Sequence, residues 1–593
     1  MSLGAGPQGR DALSNLAIGG LAGAALLGVL LRAAGSLAAF ATRKPQPAGG
    51  LFDGLLAVAH PSRPGDAIGC PGLSPWAYWT AAALLVGVAG WASGWGSIRW
   101  RRSARRALDD PRRAAGTATR DEVRRGASSR ALIKRAAALR PSVKDPRPAD
   151  VGYLLGSCHG VPVWASVEDS MLVIGPPRSG KGLHLVINAI LDAPGAVVAT
   201  STRPDNLAAT INRRKKAGPV AVFDPQRLAD GLPAGLRWSP VRGCEEPLTA
   251  MIRAAGLAAS TGLGGPGVEN GGFWEGKTRT ALQSLLHAAA LDGRGAVELF
   301  RWTLDPAAAG EAVAVLRSHP AAGAGWAESL DATIHSDPRT RDSIWQGVSL
   351  ALSALADPRV LDAVSPRQGE GFDPARFLQD KGTLYLLATG AGAGASAALV
   401  AALVEDLVEA ARHLAARSPG ARLDPPVLLA LDEIANLAPL PSLPTLMAEG
   451  GGTGITTMPV LQSLSQARAK WGQDAAGAIW DASIVKVILG GASSTSDLRD
   501  LSTLVGERDE TTVSDTRTDA GGLSTQRSIR RVPVMPPEAI RTLPFGAGIV
   551  LLRSARPLVA DLRAWTSRPD AGELARQREA VERALRAGAG PRT

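Results

Sequence analysis

One glycine-rich turn carries residue types that could hold phosphate. The stretch LVIGPPRSGKGLHLV covers residues 172–186, and Gly175, Gly180 and Lys181 satisfy the pattern G-x-x-x-x-G-K. An apolar strand, a glycine turn and a helix N-terminus together direct backbone N–H groups and a helix dipole at one anion. The lysine would place its ammonium between the β- and γ-phosphates. The residues expected to line the phosphates are Gly175, Pro176, Pro177, Arg178, Ser179, Gly180, Lys181, Gly182 and Leu183.

Two residues of this turn are unusual. Gly182 occupies the position after the lysine where Ser or Thr is usual. The hydroxyl of the usual Ser or Thr binds Mg²⁺. Without this hydroxyl, Mg²⁺ must take a water or another ligand. Arg178 lies inside the turn and could contact phosphate or a neighbouring subunit, although a side chain pointing to solvent fits the sequence equally well.

A second strand supplies the acidic residues that phosphoryl chemistry requires. The stretch PPVLLALDEIANL, residues 425–437, leads through apolar residues to Asp432 and Glu433. An Asp at the end of a buried strand can hold Mg²⁺, and an adjacent Glu can polarise the attacking water. An ordinary strand whose acidic end caps the next helix is the alternative. Gln462 follows the next apolar run, where a residue that senses the γ-phosphate would lie.

Alternating strand and helix patterns must position these residues. Besides residues 171–174 and the five apolar residues before Asp432, strand candidates lie at 196–200, 219–223, 383–388, 455–461, 484–489 and 548–552. Because they alternate with helical patterns, they indicate a mostly parallel, twisted α/β sheet. Between about 245 and 375 the pattern becomes Ala- and Leu-rich helix, which predicts an all-α insertion.

Composition narrows the class of protein. The chain of 593 residues is too long for one core, so two or three folded units are expected. A net charge of +11 favours an anionic partner, either phospholipid or nucleic acid. The three cysteines, with no metal-like spacing, support neither a disulfide scaffold nor a zinc site.

The first quarter of the sequence resembles a membrane anchor. Residues 15–40 and 75–98 are long apolar runs, the first interrupted by Arg32. A secretory signal peptide is the alternative for the first run. The arginine-rich flank after Ile98 predicts a two-helix hairpin with both ends in the cytoplasm and residues 41–73 outside. The basic segment 99–149 is then a cytoplasmic stem, which favours contact with anionic lipid over a specific DNA contact.

Several separated stretches together resemble the type IV secretion coupling proteins, the TraG-like family of conjugative DNA transfer. They occur in the family's order and span residues 150–565, namely GPPRSGKG, AVVATSTRPDNL, VAVFDPQ, RWSPVRGC, LLALDEIANLAPLPSLPTLMAEGGGTGI, LQSLSQARAKWG and DASIVKVILGG. In that family the phosphate loop often ends in Lys-Gly, as it does at Gly182.

The resemblance implies a RecA-like P-loop NTPase domain with an all-α insertion, assembled as a hexamer on the inner membrane. Its expected cofactors are ATP and Mg²⁺, and its expected partners are single-stranded DNA, a relaxase and the channel proteins. Lys181 would bind phosphate, Asp432 would help to hold Mg²⁺, Glu433 would activate water and Gln462 would sense the γ-phosphate. A receptor for protein cargo and an FtsK-type DNA translocase are the alternatives.

Some features have no firm role. Some relatives carry a basic arginine-finger residue where this chain reads EGGGTGI, so Arg468, Arg499 and Arg508 are only weak candidates. Residues 507–531 predict an exposed hairpin around Ala520, Gly521 and Gly522 that could reach a partner or the pore, or be merely solvated. The expected divisions are the N-terminus 1–14, hairpin 15–98, stem 99–149, nucleotide-binding domain 150–244 and 376–565, insertion 245–375 and amphipathic tail 566–593.

Overall fold

The computed structural model describes residues 7–50, 52–108, 110–232, 235–264, 268–367, 369–388, 394–517, 523–553 and 555–588. The chain forms two compact units, which divide after Asp110. The predicted turn at Ala520, Gly521 and Gly522 lies outside the described residues.

The first unit is helical. Its helices cover Pro7–Ala41, Asp53–Ala59, Pro64–Ala67 and Pro75–Leu108. The two long helices pack through small residues, among them Ala34, Ala38 and Ala82. Arg32 donates hydrogen bonds to the carbonyl oxygens of Gly49 and Pro47, so its guanidinium fixes the connecting segment. Across the described residues, no helix combines the length and the apolar content that a membrane crossing requires.

The second unit contains a large mixed sheet. Its strands are β1 Gly152–Cys158, β2 Val161–Ser166, β3 Met171–Ile174, β4 Val197–Ser201, β5 Val220–Phe223, β6 Thr383–Leu387, β7 Val427–Asp432, β8 Ile455–Leu461 and β9 Val485–Leu489, with β10 Glu507–Arg517, β11 Leu523–Pro533, β12 Ala547–Leu552 and β13 Leu558–Leu562. In the described residues, eleven of these strands form one sheet in the order β2-β1-β13-β12-β9-β3-β8-β7-β4-β6-β5, and β10 and β11 form a separate antiparallel ribbon.

The sheet has a parallel part and an antiparallel part. From β9 to β5 every described pairing is parallel, whereas β2, β1, β13 and β12 add antiparallel strands at one side. The parallel strands β3, β4 and β7 are almost wholly buried apolar runs, as expected for strands covered by helices on both faces. The predicted α/β sheet is therefore observed, with an antiparallel extension that the sequence patterns did not indicate.

Helices cover the sheet and fill the segment between β5 and β6. Within the described residues that segment, from 224 to 382, contains helices and loops and no strand. Its helices are Pro247–Ala259, Gly271–Leu291, Ala296–Leu304, Gly310–Ser318, Trp326–Ile334, Pro338–Ala351, Ser353–Ala356, Pro358–Ala363 and Pro374–Gln379. The domain boundaries given above remain predictions.

The other helices of this unit lie before β1, between the strands and after β13. They are Pro111–Arg113, Arg120–Gly126, Ser129–Ile133, Ala136–Leu139, Pro148–Val151, Gly182–Val186, Ile187–Asp192, Asp205–Arg214, Gly394–Ala416, Pro419–Ala421, Ile434–Leu437, Leu443–Thr453, Leu464–Trp471, Gln473–Ala482, Thr495–Val505, Pro537–Arg541, Trp565–Ser567 and Ala571–Gly588. The last of these fulfils the expectation of a helix in the tail, and its Leu574 and Val581 are buried.

Part of the predicted stem is built into the second unit. Val123, Leu132 and Leu139 are buried in the same apolar core as residues of β1 and β2, and the backbone N–H of Trp164 donates to the carbonyl of Ala127. These scattered apolar residues supply one side of a core. The compact second unit consequently starts at Pro111 and includes most of the segment predicted as a stem.

A buried ion pair joins the helical segment to the helix that follows β6. Arg253 is 1% exposed, and its guanidinium lies 2.7 Å from a carboxylate oxygen of Asp406. The other carboxylate oxygen accepts a hydrogen bond from the indole N–H of Trp238 at 3.0 Å. The pair therefore ties Pro247–Ala259 to Gly394–Ala416.

Replacing Asp406 with Ala should strongly destabilise these helices, because it leaves the Arg253 charge buried without its partner. Loss of one member of a buried pair typically costs about 3–5 kcal/mol. Faster amide hydrogen exchange in Pro247–Ala259, together with a lower melting temperature, would measure this effect. Asp342→Ala is the control, since that carboxylate is 65% exposed and its pair with Arg341 should contribute less than about 1 kcal/mol. Equal effects of the two substitutions would contradict the prediction.

Candidate nucleotide site

The order of the strands brings three strand ends to one edge of the sheet. The phosphate-loop strand β3 and the acidic strand β7 both pair in parallel with β8, which lies between them. Val460 of β8 is level with Val173 on one side and Asp432 on the other. The residues that follow these strands are therefore neighbours, although they are far apart in the sequence.

The glycine-rich turn has the backbone conformation of a tight loop. Arg178 and Gly180 both have positive φ angles, of 64° and 88°. A Cβ at Gly180 would lie 2.8 Å from the ring of His184, and one at Gly175 would lie 2.6 Å from the Ser179 hydroxyl. Glycine is therefore required at both positions, because the loop is folded tightly against its own helix. Arg178 itself is exposed.

The helix after the loop packs against residues near the end of the chain. It begins with one turn of π-helix, Gly182–Val186, and continues as Ile187–Asp192. Leu183 packs with Ile187 against Trp565 and Leu574 near the end of the chain. The position of the loop thus depends on the C-terminal helix as well as on β3.

Lys181 points back across the loop toward the acidic strand. Its ammonium donates a hydrogen bond to the carbonyl oxygen of Gly175 at 2.7 Å and lies 3.5 Å from a carboxylate oxygen of Glu433. The side chain is 9% exposed. One cation therefore lies between the phosphate loop and the predicted water-activating residue.

Glu433 is connected to Gln462 by a direct hydrogen bond. The amide nitrogen of Gln462 donates to the second Glu433 carboxylate oxygen at 2.8 Å, and the same oxygen accepts from Asn436 at 2.9 Å. Gln466 extends this network to the amide oxygen of Asn436 at 2.9 Å. Lys181, Glu433 and Gln462, predicted from three separate stretches, thus form one continuous polar chain.

Asp432 lies deeper than Glu433. One of its carboxylate oxygens accepts a hydrogen bond from the Asn206 amide nitrogen at 3.0 Å, while the other is buried with no hydrogen-bond partner among the described residues. The pKa of Asp432 is raised to about 6, chiefly by burial and also by the nearby Glu433 charge, while the Asn206 hydrogen bond and Lys181 act in the opposite direction. This carboxylate is therefore charged at neutral pH but poorly solvated, as suits a ligand for a cation.

Some predicted residues lie outside the polar chain. Arg468 forms an ion pair with the buried Asp497, and Arg508 pairs with Glu510 at 3.1 Å on the ribbon β10–β11. Arg499 is exposed. The arginine-finger assignments for these three residues stay predictions, as do the roles assigned to the site residues.

Sequence reasoning gave no role to Asn206, which lies just after β4 and directly contacts Asp432. Because β4 pairs in parallel with β7, polar residues after β4 reach the same edge of the sheet. The polar run that follows the buried strand was therefore the signal that could have identified this residue. Asn436 and Gln466 gave no comparable signal, since their contacts depend on how two short helices face each other.

The fold and these contacts define a class, the P-loop α/β proteins that bind nucleotides. Comparison with known families and structures narrows it. The family described as "Type IV secretory system Conjugative DNA transfer" matches residues 127–293, and the one described as "TraM recognition site of TraD and TraG" matches residues 426–545. These two matches lie in separate parts of the chain, and together with the fold they support a type IV coupling protein of conjugative DNA transfer.

Solved structures show the same fold. The bacterial conjugative coupling protein TrwBdeltaN70 in its unbound form is 19% identical, with a TM-score of 0.52 over 74% of this chain and 93% of that one. The plasmid coupling protein TrwB in complex with ADP and Mg²⁺ is 18% identical, with a TM-score of 0.51 over 72% and 91%. The complex of TrwB with the GTP analogue GDPNP is 19% identical, with a TM-score of 0.50 over 74% and 92%. No curated protein matches the chain significantly.

The raised pKa of Asp432 predicts a pH-dependent effect of Asp432→Asn in nucleotide-free protein. The folded chain holds this proton more tightly than the unfolded chain, whose carboxyl has the ordinary value of 3.8. The stability that Asp432 contributes is therefore greatest at a pH below its pKa in the unfolded chain, and it declines as the pH rises through about 6. The neutral variant should gain stability relative to the parent by about 1 kcal/mol between about pH 5 and pH 7.5. Melting temperatures of both proteins across this range test it, and a constant difference would contradict it.

Proposed function

We propose that this coupling protein is a membrane-anchored ATPase that drives single-stranded DNA, or a relaxase–DNA conjugate, toward a type IV secretion channel. The polar chain from Lys181 through Glu433 to Gln462 is the observation that carries the ATPase proposal. It joins a phosphate-binding cation, a carboxylate and an amide at one edge of the sheet, which is the set of groups that phosphoryl transfer to water requires.

The phosphate loop binds the nucleotide in this proposal. The backbone N–H groups around Gly180 and the Lys181 ammonium receive the β- and γ-phosphates. The Ser179 hydroxyl, which is buried without a hydrogen-bond partner among the described residues, is a further donor within the loop. The TrwB structures with ADP and Mg²⁺ and with GDPNP support nucleotide binding by this fold.

Glu433 accepts a proton from the attacking water, and Gln462 orients that carboxylate. The Glu433 carboxylate contacts the Gln462 amide on one side and the Lys181 ammonium on the other. A movement of either partner therefore shifts the carboxylate. Arrival of a γ-phosphate at Lys181 therefore alters the contacts of Glu433 and, through Gln462, the helix that follows β8. This connection gives ATP turnover a route to movement of the chain.

Asp432 and its neighbours would hold the magnesium ion. Its unpaired buried carboxylate oxygen fits a cation, because it has no hydrogen-bond donor among the described residues and is too deep to be well hydrated. When bound, Mg²⁺ neutralises charge that develops on the phosphate oxygens.

Transport of a nucleic acid is consistent with the charge of the chain. Its net charge of +11 favours a polyanion, and a basic channel can follow a phosphate backbone without reading bases. We further propose a homohexamer, in which subunits complete one another's nucleotide sites. Mass measurement of the detergent-solubilised protein with ATP analogue tests this, and a strictly monomeric particle would contradict it.

The first unit is proposed as the anchor in the inner membrane. Its helices expose large apolar side chains, including Phe40, Trp76, Leu84 and Trp91, and the arginine-rich run after Ile98 suits a cytoplasmic flank. Sedimentation of the full chain with membranes in high salt, and its release by detergent, tests the proposal. Recovery in the soluble fraction without detergent would contradict it.

Contact with a relaxosome protein is proposed for the second family segment. The matching description for residues 426–545 names a TraM recognition site, and the exposed ribbon β10–β11 belongs to that segment. A crosslink from Ile529, which is 75% exposed on the ribbon, to a relaxosome component would support this assignment, and crosslinks confined to other surfaces would contradict it.

Glu433→Gln should separate binding from hydrolysis. The amide keeps the shape of the side chain but cannot accept the proton from water, so turnover should fall about 10²–10⁴-fold while ATP affinity is retained. DNA transfer in a complementation assay should fail with it. Glu449→Gln is the matched control, since Glu449 is an exposed glutamate on Leu443–Thr453 outside the polar chain. Normal transfer by a variant that cannot hydrolyse ATP would instead indicate a receptor that uses nucleotide only to organise cargo.

A further inference from the structure

Position 182 lacks the hydroxyl that usually follows the phosphate-loop lysine, yet another oxygen lies beside that place. A Cβ built on Gly182 would have one neighbouring atom within 4 Å, the side-chain amide oxygen of Asn206 at 3.4 Å. A serine at 182 would project its hydroxyl into the same small region. The structure therefore brings an oxygen from the helix Asp205–Arg214 to the side of the loop where the motif itself has none.

The orientation of the Asn206 amide follows from its partner. Its nitrogen lies 3.0 Å from an Asp432 carboxylate oxygen, and an ionised carboxylate only accepts hydrogen bonds. The amide oxygen must then face away from Asp432, which is the side on which Gly182 lies. Asn206 is 2% exposed. Its backbone carbonyl oxygen accepts a hydrogen bond from the Thr210 hydroxyl at 2.7 Å, which helps to fix the position of the residue.

Two oxygens of this pair lack donors. The amide oxygen of Asn206 has no hydrogen-bond partner within the described part of the chain, and neither does the buried second oxygen of Asp432. Buried acceptors are normally satisfied, so the unsatisfied buried oxygen of Asp432 points to a missing partner of positive charge, and the amide oxygen of Asn206 is available to contact the same partner. Amide and carboxylate oxygens are both suitable ligands for Mg²⁺.

We propose that the amide oxygen of Asn206 replaces the missing hydroxyl of position 182 as a ligand for the Mg²⁺ that accompanies the nucleotide. This inference rests on the proposed ATPase function. It assigns the metal a ligand from the helix that follows β4 rather than from the phosphate loop. The hydrogen bond to Asp432 then has a second role, because it holds the amide with its oxygen toward the metal.

Manganese binding to the ADP complex of the full-length protein in detergent tests the assignment. Mn²⁺ is the probe, and its free concentration is read by electron paramagnetic resonance. Asn206→Ala should weaken Mn²⁺ affinity about tenfold or more. Adding Gly182→Ser to that variant should restore most of the lost affinity, because the new hydroxyl occupies the region that the shortened side chain leaves open.

Two controls separate this idea from its alternatives. Asn212→Ala shortens a second, partly exposed asparagine on the same helix Asp205–Arg214, and it should leave Mn²⁺ affinity unchanged. ADP binding in excess chelator should be equal in the parent and in Asn206→Ala. If the parent itself binds no ADP, the proposed ATPase function is wrong.

Other outcomes would overturn the metal assignment alone. Parental Mn²⁺ affinity in Asn206→Ala, with ADP binding intact, would show that the amide oxygen is not a ligand. A loss that Gly182→Ser fails to restore would mean that Asn206 only shapes the loop, and a loss of ADP binding in chelator would lead to the same conclusion.

Discussion

The parallel register of three strands is the constraint on which the site depends. The backbone N–H of Gly175 donates to the carbonyl of Leu461 at 3.0 Å, which continues the pairing of β3 and β8 into the phosphate loop. On the other side of β8, Val460 is level with Asp432. A slip of one residue in either pairing would turn the side chains to the opposite face of the sheet and separate Lys181 from Glu433.

Glu433 occupies a conformation that a glutamate adopts only when its surroundings impose it. Its φ of 54° lies in the left-handed region, which costs about 1–2 kcal/mol for a residue with a Cβ. Hydrogen bonds from Asn436 and Gln462, and the Lys181 ammonium, hold the side chain in return. The sharp turn lets consecutive carboxylates differ, with Asp432 buried beside Asn206 and Glu433 turned toward the lysine. In the proposed mechanism, this one strand end supplies both the metal ligand and the proton acceptor.

Sequence patterns predict the site better than they predict the sheet. Buried parallel strands read as continuous apolar runs, so the strands that carry Lys181, Asp432 and Gln462 could be recognised within about a residue of their observed bounds. The position of β8 between β3 and β7 could not be predicted in this way, since strand order depends on packing between distant segments. The strand β13 was missed because LVADL is short and close to an arginine-rich turn. Asn206 was missed for a related reason, because its place beside Asp432 depends on the pairing of β4 with β7.

Lys181 is the proposed link between the nucleotide and movement of the chain, and Lys181→Ala tests this role most directly. ATP hydrolysis by the purified full chain and DNA transfer in a complementation assay should be measured for the same variant. Both should fall to background, because the loop loses its phosphate-binding cation and Glu433 loses one of its partners. Retention of both hydrolysis and transfer would contradict the assignment of this loop as the site of ATP turnover.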